Sequence, residues 1–335
     1  MFSKPIGTET VGLTGGQVGV GRSNRLRTTV AAMAIVLAGS AVAQAEDFVL
    51  SSGSQGGSWY PLAGAIKAIA EQMDPDLSIT VTPGAGVANV VGVSAGKFPV
   101  AFANTISTVD ALAGRPPFRE KAENVCNLGT LYPQWFQIVA RDDANVTSIA
   151  DFKGKRLTTQ QNGNTGEFLT RSLLDAVGLS YDDMANVSHV SYSDSVNQMK
   201  DGHADIFTLG TALPAGAVMD VATSRDTEMV PITDEIFEHF KTQNAAFIRR
   251  TIPTVSYPNL SGGTDAITYG THVIAACDYD DGVVTTILTA IADNLDSLSA
   301  VNKSMATLTL DDMSADIGVP LHPAAAAFYK DRGVN

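Results

Sequence analysis

Cysteine, tryptophan and basic residues are scarce in this chain. Its 335 residues include two cysteines, two tryptophans, and 22 lysines and arginines against 35 aspartates and glutamates. The formal net charge of −13 opposes non-specific binding to nucleic acid or to an anionic membrane. No Cys-x-x-Cys or His-Glu-x-x-His spacing marks a metal site, and no cofactor is expected. Cys126 and Cys277 each lie in an apolar, strand-like stretch, Val125-Cys126-Asn127-Leu128 and Val273-Ile274-Ala275-Ala276-Cys277. The expectation is two buried free thiols, although an oxidising compartment permits a bridge. The apolar run from Val30 to Ala38 is too short to cross a bilayer, which needs about 20 apolar residues, so no direct membrane insertion is expected.

That run reads instead as the centre of an export signal. Arg22, Arg25 and Arg27 precede it, and Ala43-Gln44-Ala45 supplies a small-x-small cleavage site. Residues 1–45 are expected to be removed, leaving a soluble periplasmic protein that starts at Glu46. No adjacent arginine pair precedes the run and no cysteine follows the site, so a lipid anchor is not expected. Removal takes away four basic residues and one acidic residue, leaving 18 against 34 and a net charge of −16. About 290 residues remain, enough for two domains of ordinary size.

The most informative stretch of the mature chain is Ser51 to Leu62. A short apolar strand, Phe48-Val49-Leu50, runs into a loop rich in glycine and serine, and a helix with Leu62, Ile66, Ile69 and Met73 on one face follows at once. A strand feeding such a loop onto a helix N-terminus aims free backbone N–H groups and a helix dipole at one point, which suits an anion. The arrangement recurs at Pro83-Gly84-Ala85-Gly86, Asn104-Thr105, Gln161 to Gly166, Tyr192-Ser193-Asp194 and Gly210-Thr211-Ala212. Three of these loops precede residue 115 and three follow residue 155. Alternating strands and helices predict an α/β fold, with mostly parallel sheets flanked by helices and ligands beyond the C-terminal strand ends. Two groups of three loops predict two lobes facing one cleft, the first built from residues 46–137 and 251–335, the second from 138–250. One more strand is expected over Thr271–Ala276, and one long helix through Val284, Ile287, Leu288, Ile291, Leu295 and Leu298. Two crossings between the lobes make a closing clamshell.

Each residue also has a simpler reading. Trp59 and Tyr60 suit a helix core, and Asn104 suits a helix cap, which is compatible with ligand contact. Glu167 suits a helix first turn for its charge alone. His189, His203, His239, His272 and His322 show no ligand spacing and read as structural or exposed. Ser58 beside glycines faintly suggests an exported hydrolase, but Gly57-Ser58-Trp59 does not fit the Gly-x-Ser-x-Gly elbow, and no His–Asp pair stands in another loop.

Across the mature chain, a set of segments resembles the TAXI solute receptors of TRAP transporters, which have the type II periplasmic binding protein fold. The segments are Gly53 to Pro61, Leu131-Tyr132-Pro133, Ile149 to Arg156, Thr251-Ile252-Pro253 with Tyr257-Pro258, and Pro320-Leu321-His322-Pro323 followed by Phe328-Tyr329. The resemblance implies a receptor, not an enzyme, that captures a small organic anion and delivers it to a TRAP-type membrane permease. It places Ser54, Gly57, Ser58 and Tyr60 in the first contact, Gly86 and Val87 in the second, and Asn104 in the third. Tyr132 falls where the chain crosses lobes, while Asn164, Thr165, Gly166, Thr211 and Ala212 face back. Where that family usually has Gly-Ser-Gly-Thr-Glu, this chain has Gly163-Asn164-Thr165-Gly166-Glu167. Where it often has Gln-Ser-Asp, this chain has Ala103-Asn104-Thr105, with no acidic partner for an ammonium. A dicarboxylate such as 2-oxoglutarate or glutarate is therefore expected ahead of glutamate. An ABC importer or a sensor kinase is the alternative partner for the same fold.

Overall fold

The computed structural model describes residues 46–257 and 263–334. The export segment and Pro258 of the Tyr-Pro pair lie outside these residues. The chain begins with three strand–helix pairs. These are β1 (Glu46–Ser51) and α1 (Trp59–Met73), β2 (Leu77–Thr82) and α2 (Gly86–Ser94), and β3 (Val100–Asn104) and α3 (Thr105–Ala113). A long strand, β4 (Cys126–Arg141), leads away to three more pairs. They are β5 (Arg156–Thr159) and α4 (Thr165–Asp175), β6 (Asn186–His189) and α5 (Tyr192–Lys200), and β7 (Ile206–Thr211) and α6 (Gly216–Ala222). Next come β8 (Thr227–Met229), α7 (Asp234–Gln243) and β9 (Ile248–Ile252). A second long strand, β10 (Thr264–Ala275), returns to α8 (Asp281–Ala292), α9 (Leu295–Val301), α10 (Leu310–Ser314) and α11 (Pro323–Asp331).

The described strands form one mixed sheet in the order β2-β1-β3-β10-β4-β7-β5-β6, with β8 on β4 and β9 on β10. Its two ends are parallel triplets, since β1 pairs in parallel with β2 and β3, and β5 with β6 and β7. The long strands β4 and β10 join the triplets through antiparallel pairing. Strand alternation puts apolar side chains on both faces. In β3, Phe102 packs into a cluster with Leu62, Ile66 and Leu288, while Ala101 and Ala103 pack with Val90 and Val93. In the other triplet, Ile206 packs with Leu157 and Leu173, while Phe207 and Leu209 pack with Tyr192 and Val218. This is the α/β architecture that the loop pattern predicts, and the type II periplasmic binding protein fold that the resemblance implies.

Two expectations are corrected. Cys126 and Cys277 are bridged, with Cα atoms 5.0 Å apart. They lie 151 residues apart in the chain, but β4 and β10 are neighbours, and Cys126 pairs directly with Ala275. The register therefore brings the thiols within bonding reach. The long helix expected through Leu298 is two helices, α8 and α9, separated at Asp293-Asn294. There the Asn294 side chain donates to the Ala290 carbonyl at 3.2 Å, competing with the helical ladder.

Candidate functional site

The C-terminal ends of the parallel strands from both triplets face one small cavity. It is lined by Gly53, Ser54, Gly57, Ser58, Trp59, Gly86, Asn104 and Gln134 on one side. Gln160, Asn164, Thr165, Gly166, Tyr192, Gly210, Thr211 and Tyr269 complete it. The N-termini of α1, α2, α3, α4 and α5 all reach this wall. Neither Ser58, Ala85, Asn104 nor Asn164 caps its own helix through a side-chain hydrogen bond, whereas Ser191 caps α5 by accepting from Asp194 N–H. The N-termini of these four helices are thus not capped by their own N-cap side chains at the cavity.

Among the described residues no lysine, arginine, histidine, aspartate or glutamate lines the cavity. Its polarity comes from amides and hydroxyls. Burial holds the phenols of Tyr132, Tyr192 and Tyr269 well above their usual value, so they stay protonated. Gln134 Nε2 donates to Thr271 Oγ1 at 2.7 Å, and Trp59 Nε1 donates to the same oxygen at 3.2 Å. That leaves Gln134 Oε1 with no partner at 1% exposure, and Asn104 Oδ1 is likewise unpaired at 4%. Buried acceptors without a donor are costly, and both belong to residues in the wall of the cavity.

The two sides are drawn together. Ser54 Oγ donates to Gln161 Oε1 at 3.1 Å, Ser58 N–H to Thr211 Oγ1 at 3.3 Å, and Ala88 N–H to the Gly163 carbonyl at 3.0 Å. The Ser107 and Thr165 hydroxyls meet at 2.9 Å. The space they enclose is about 20 Å³, roughly the room one water needs.

Of the residues expected from sequence, Ser54, Gly57, Ser58, Gly86, Asn104, Asn164, Thr165, Gly166 and Thr211 line the cavity. Tyr60, Val87, Tyr132 and Ala212 do not. Trp59 takes the inward position of the first turn of α1 and packs on Phe102 at 5.7 Å, leaving its neighbour Tyr60 half-buried outside the wall. Val87 lies on the outer face of α2 against the cluster of Val90 and Phe118. Tyr132 sits behind Ser58, to whose hydroxyl it donates at 3.1 Å. Ala212 joins the apolar core beyond Thr211. Gln134, Gln160 and Tyr269 are wall residues that sequence reasoning missed. Tyr192 begins α5, in a loop already marked by its strand–loop–helix pattern.

The simpler readings hold for several residues. Glu167 lies in the first turn of α4, paired with Arg171 at 2.7 Å and accepting from the Tyr181 hydroxyl at 3.1 Å. His272 is fully buried between Thr108 and Asn127, and His322 caps α11. Among the described residues no group of histidines, cysteines or carboxylates is arranged to hold a metal. None of their helices is long and apolar enough to cross a membrane. Gly92-Val93-Ser94-Ala95-Gly96 fits the nucleophile-elbow pattern by letter, but it is the C-terminal turn of α2 rather than a strand-to-helix turn. There Ser94 Oγ accepts from Glu123 N–H at 2.9 Å.

The fold is that of type II periplasmic binding proteins. The chain belongs to the NMT1-like family, which it matches over residues 50–333. Among solved structures, a protein from Bordetella bronchiseptica RB50 superposes with a TM-score of 0.50 at 13% identity, covering 86% of this chain and 83% of that one. The alkanesulfonate-binding protein SsuA from Xanthomonas axonopodis pv. citri, bound to MOPS, gives 0.45 at 13% identity over 85% and 83%. The substrate-binding protein of an amino acid ABC transporter gives 0.44 at 13% identity over 77% and 96%.

Proposed function

We propose that this protein is an extracytoplasmic receptor that closes on a small organic anion and hands it to a membrane transporter. The observation that carries this reading is the meeting of four uncapped helix N-termini at a cavity without a charged side chain. Helix dipoles and unpaired N–H groups bind an anion without a counter-charge on a side chain. The unpaired oxygens of Asn104 and Gln134 add a second requirement, a ligand N–H or O–H donor. This changes the balance drawn from sequence alone. An ammonium or hydroxyl finds neutral acceptors here, so a glutamate-like or hydroxy-acid ligand stands level with a plain dicarboxylate.

The proposed ligand contacts are Ser54, Gly57, Ser58, Gly86, Asn104, Asn164, Thr165, Gly166 and Thr211, joined by Gln134 and Tyr269. The proposed lobes are residues 46–137 with 251–335, and 138–250, hinged at β4 and β10. A cavity of about 20 Å³ is too small for an organic acid, so binding requires the lobes to part first. Export rests on residues 1–45 and is tested by the intact mass of the secreted protein, which should begin at Glu46.

The transporter has two candidates. The motifs resemble receptors of TRAP permeases, whereas one structural neighbour named above serves an ABC transporter. Uptake reconstituted with the partner permease separates them, since one follows an ion gradient and the other ATP. The receptor reading itself is tested with Thr165→Pro. Thr165 opens α4 at the cavity, and proline removes its backbone donor. Losing a hydrogen bond to a charged group costs about 1.5–3 kcal/mol, or roughly tenfold or more in affinity. Calorimetry with dicarboxylates, glutamate and glutamine on folded protein checks it, and an unchanged affinity removes α4 from the anion site.

A further inference from the structure

Beside the small cavity lies a second, open pocket of about 500 Å³. The two share Gly57, Ser58 and Thr211 as a common wall. That partition is closed by two long contacts, Ser58 N–H to Thr211 Oγ1 at 3.3 Å and Thr211 Oγ1 to Ser58 Oγ at 3.2 Å. Small hydroxyl rotations and a slight parting of the lobes therefore join the two spaces.

The chemistry of the outer pocket is unlike that of the inner one. Pro61, Leu213, Pro214, Met219 and Val301 make much of it apolar, and Lys303 stands at its edge. Lys303 is exposed and forms no salt bridge among the described residues. Asn302, also in the wall, is 7% exposed. A cation without a salt bridge at the wall of an apolar pocket suits an anionic group carried on an apolar segment. The inner cavity offers two buried acceptors without donors.

We propose that the outer pocket is a second subsite for the same ligand, taking an apolar segment that ends in an anionic group at Lys303. The inner cavity then holds the head group, which presents a donor to Asn104 and Gln134. This inference rests on the receptor reading and adds ligand shape to it: an elongated acid of six or more carbons rather than a compact one. The occupant follows from continuity. The pocket opens from the ligand cavity itself, and its volume falls within the range of small-molecule sites, which run from about 300 to 1,000 Å³. The inner space holds about one water.

The position of Gly216 supplies a clean test. It lines the outer pocket, and a Cβ placed there meets no heavy atom within 4 Å. Gly216→Phe should therefore fold normally while filling the pocket, and Lys303→Glu should reverse the charge at its far end. The full chain, unfolded in guanidinium without reductant and refolded to remove carried-over ligand, is titrated by calorimetry. The probes are succinate, glutarate, adipate, pimelate and suberate, with aspartate, glutamate, 2-aminoadipate and 2-aminopimelate as the donor-bearing set. The expected result is tightest binding at six or more carbons. Gly216→Phe should shift the optimum to shorter probes and weaken the longest at least tenfold, and Lys303→Glu should weaken it at least fivefold, with melting temperatures within about 2 °C of the parent. An optimum at four carbons, or twofold or smaller changes in both variants, overturns the proposal. So does a refolded protein that binds none of the probes. In that case, release of a small molecule when the purified protein is unfolded shows that the receptor reading survives and only the two-pocket shape fails.

Discussion

Helices that start at the cavity and helices on the outer surface begin in different ways. On the outside, Thr233, Asp280, Thr309 and His322 each accept a backbone N–H of the helix they start, in α7, α8, α10 and α11. At the cavity, α1 to α4 start with Ser58, Ala85, Asn104 and Asn164, and none makes such a bond. Ala85 of α2 has no group to cap with, but at α1, α3 and α4 residue type does not explain the contrast, because serine and asparagine are good caps. Their side chains are engaged elsewhere or unpaired. Ser58 Oγ accepts from Tyr132, Asn164 Oδ1 accepts from Gln160 Nε2 at 3.1 Å, and Asn104 Oδ1 has no donor. Four of the helices that start away from the cavity are capped in this way, α6 and α9 being exceptions, whereas none of α1 to α4 takes a first-turn donor with its own N-cap side chain. The reverse case is α5, which reaches the cavity yet is capped by Ser191.

The largest expected effect sharpens this division between scaffold and cavity. The Cys126–Cys277 bridge sits where Ala275 pairs with Val100, at the start of β3, and Asn104 at the other end of that strand reaches the cavity. Reduction should cost about 2–5 kcal/mol of stability in chemical denaturation. The affinity of the remaining folded protein should stay as it was, and a parallel loss of affinity would merge the two regions into one.

Gly86→Ala acts on the cavity alone. Its Cβ would collide with Thr165 Oγ1 across the cavity and lie 2.8 Å from Asn104 Nδ2. Overpacking of this kind costs about 1–3 kcal/mol, and under the proposed clamshell the cost falls on the closed form. Ligand affinity should drop by roughly tenfold to a hundredfold, while scattering shows a more open molecule. Unchanged affinity would mean that the lobes do not close through this contact.

Position along the sheet explains what the amino-acid sequence made legible. Strand–loop–helix order gave the cavity loops, because each loop follows a strand whose alternation is plain and precedes a helix with a 3.6-residue face. Gln134 and Tyr269 escaped notice because they sit inside β4 and β10, where periodicity tells which face a residue takes but not which cavity that face meets. The same gap hid the disulfide, whose partners are adjacent only through β4–β10 register. Tyr60 was placed in the site by its motif, yet one residue along a helix is a turn of about 100°, enough to move it out of the wall.

The scaffold beneath α3 should also respond to acid. His272 is fully buried, with Nδ1 donating to Asn127 Oδ1 at 3.0 Å and Nε2 accepting from the Thr108 hydroxyl at 2.8 Å. Burial pushes its pKa down to about 3. Because the folded value lies below the unfolded value of about 6.5, the unfolded chain binds the extra proton between the two. Stability from this group is therefore complete above pH 6.5 and falls with acid by about 1.4 kcal/mol per pH unit, or roughly 2 kcal/mol by pH 5. Denaturation midpoints of the parent and His272→Gln across pH 5–7 check it, since the variant should lack this component.

The smallest effect tests the opening contrast most directly, through two substitutions at helix starts. Thr233 Oγ1 accepts from Ile236 N–H at 3.3 Å and starts α7, away from the cavity wall. Thr233→Ala should cost about 1 kcal/mol of stability, as cap removal does, and lower the melting temperature by about 2 °C. Ligand affinity should not change. Asn104→Ala should show the reverse pattern. Its side chain caps nothing, and deleting an unpaired buried acceptor removes a cost rather than a bond. Melting temperature should hold or rise, while affinity for a donor-bearing ligand falls by about tenfold, the effect of one lost hydrogen bond of about 1.5 kcal/mol. Matched melting and calorimetric measurements on the two variants decide it. If both lose stability alike and neither loses affinity, the uncapped helix starts are an accident of packing and not a ligand site.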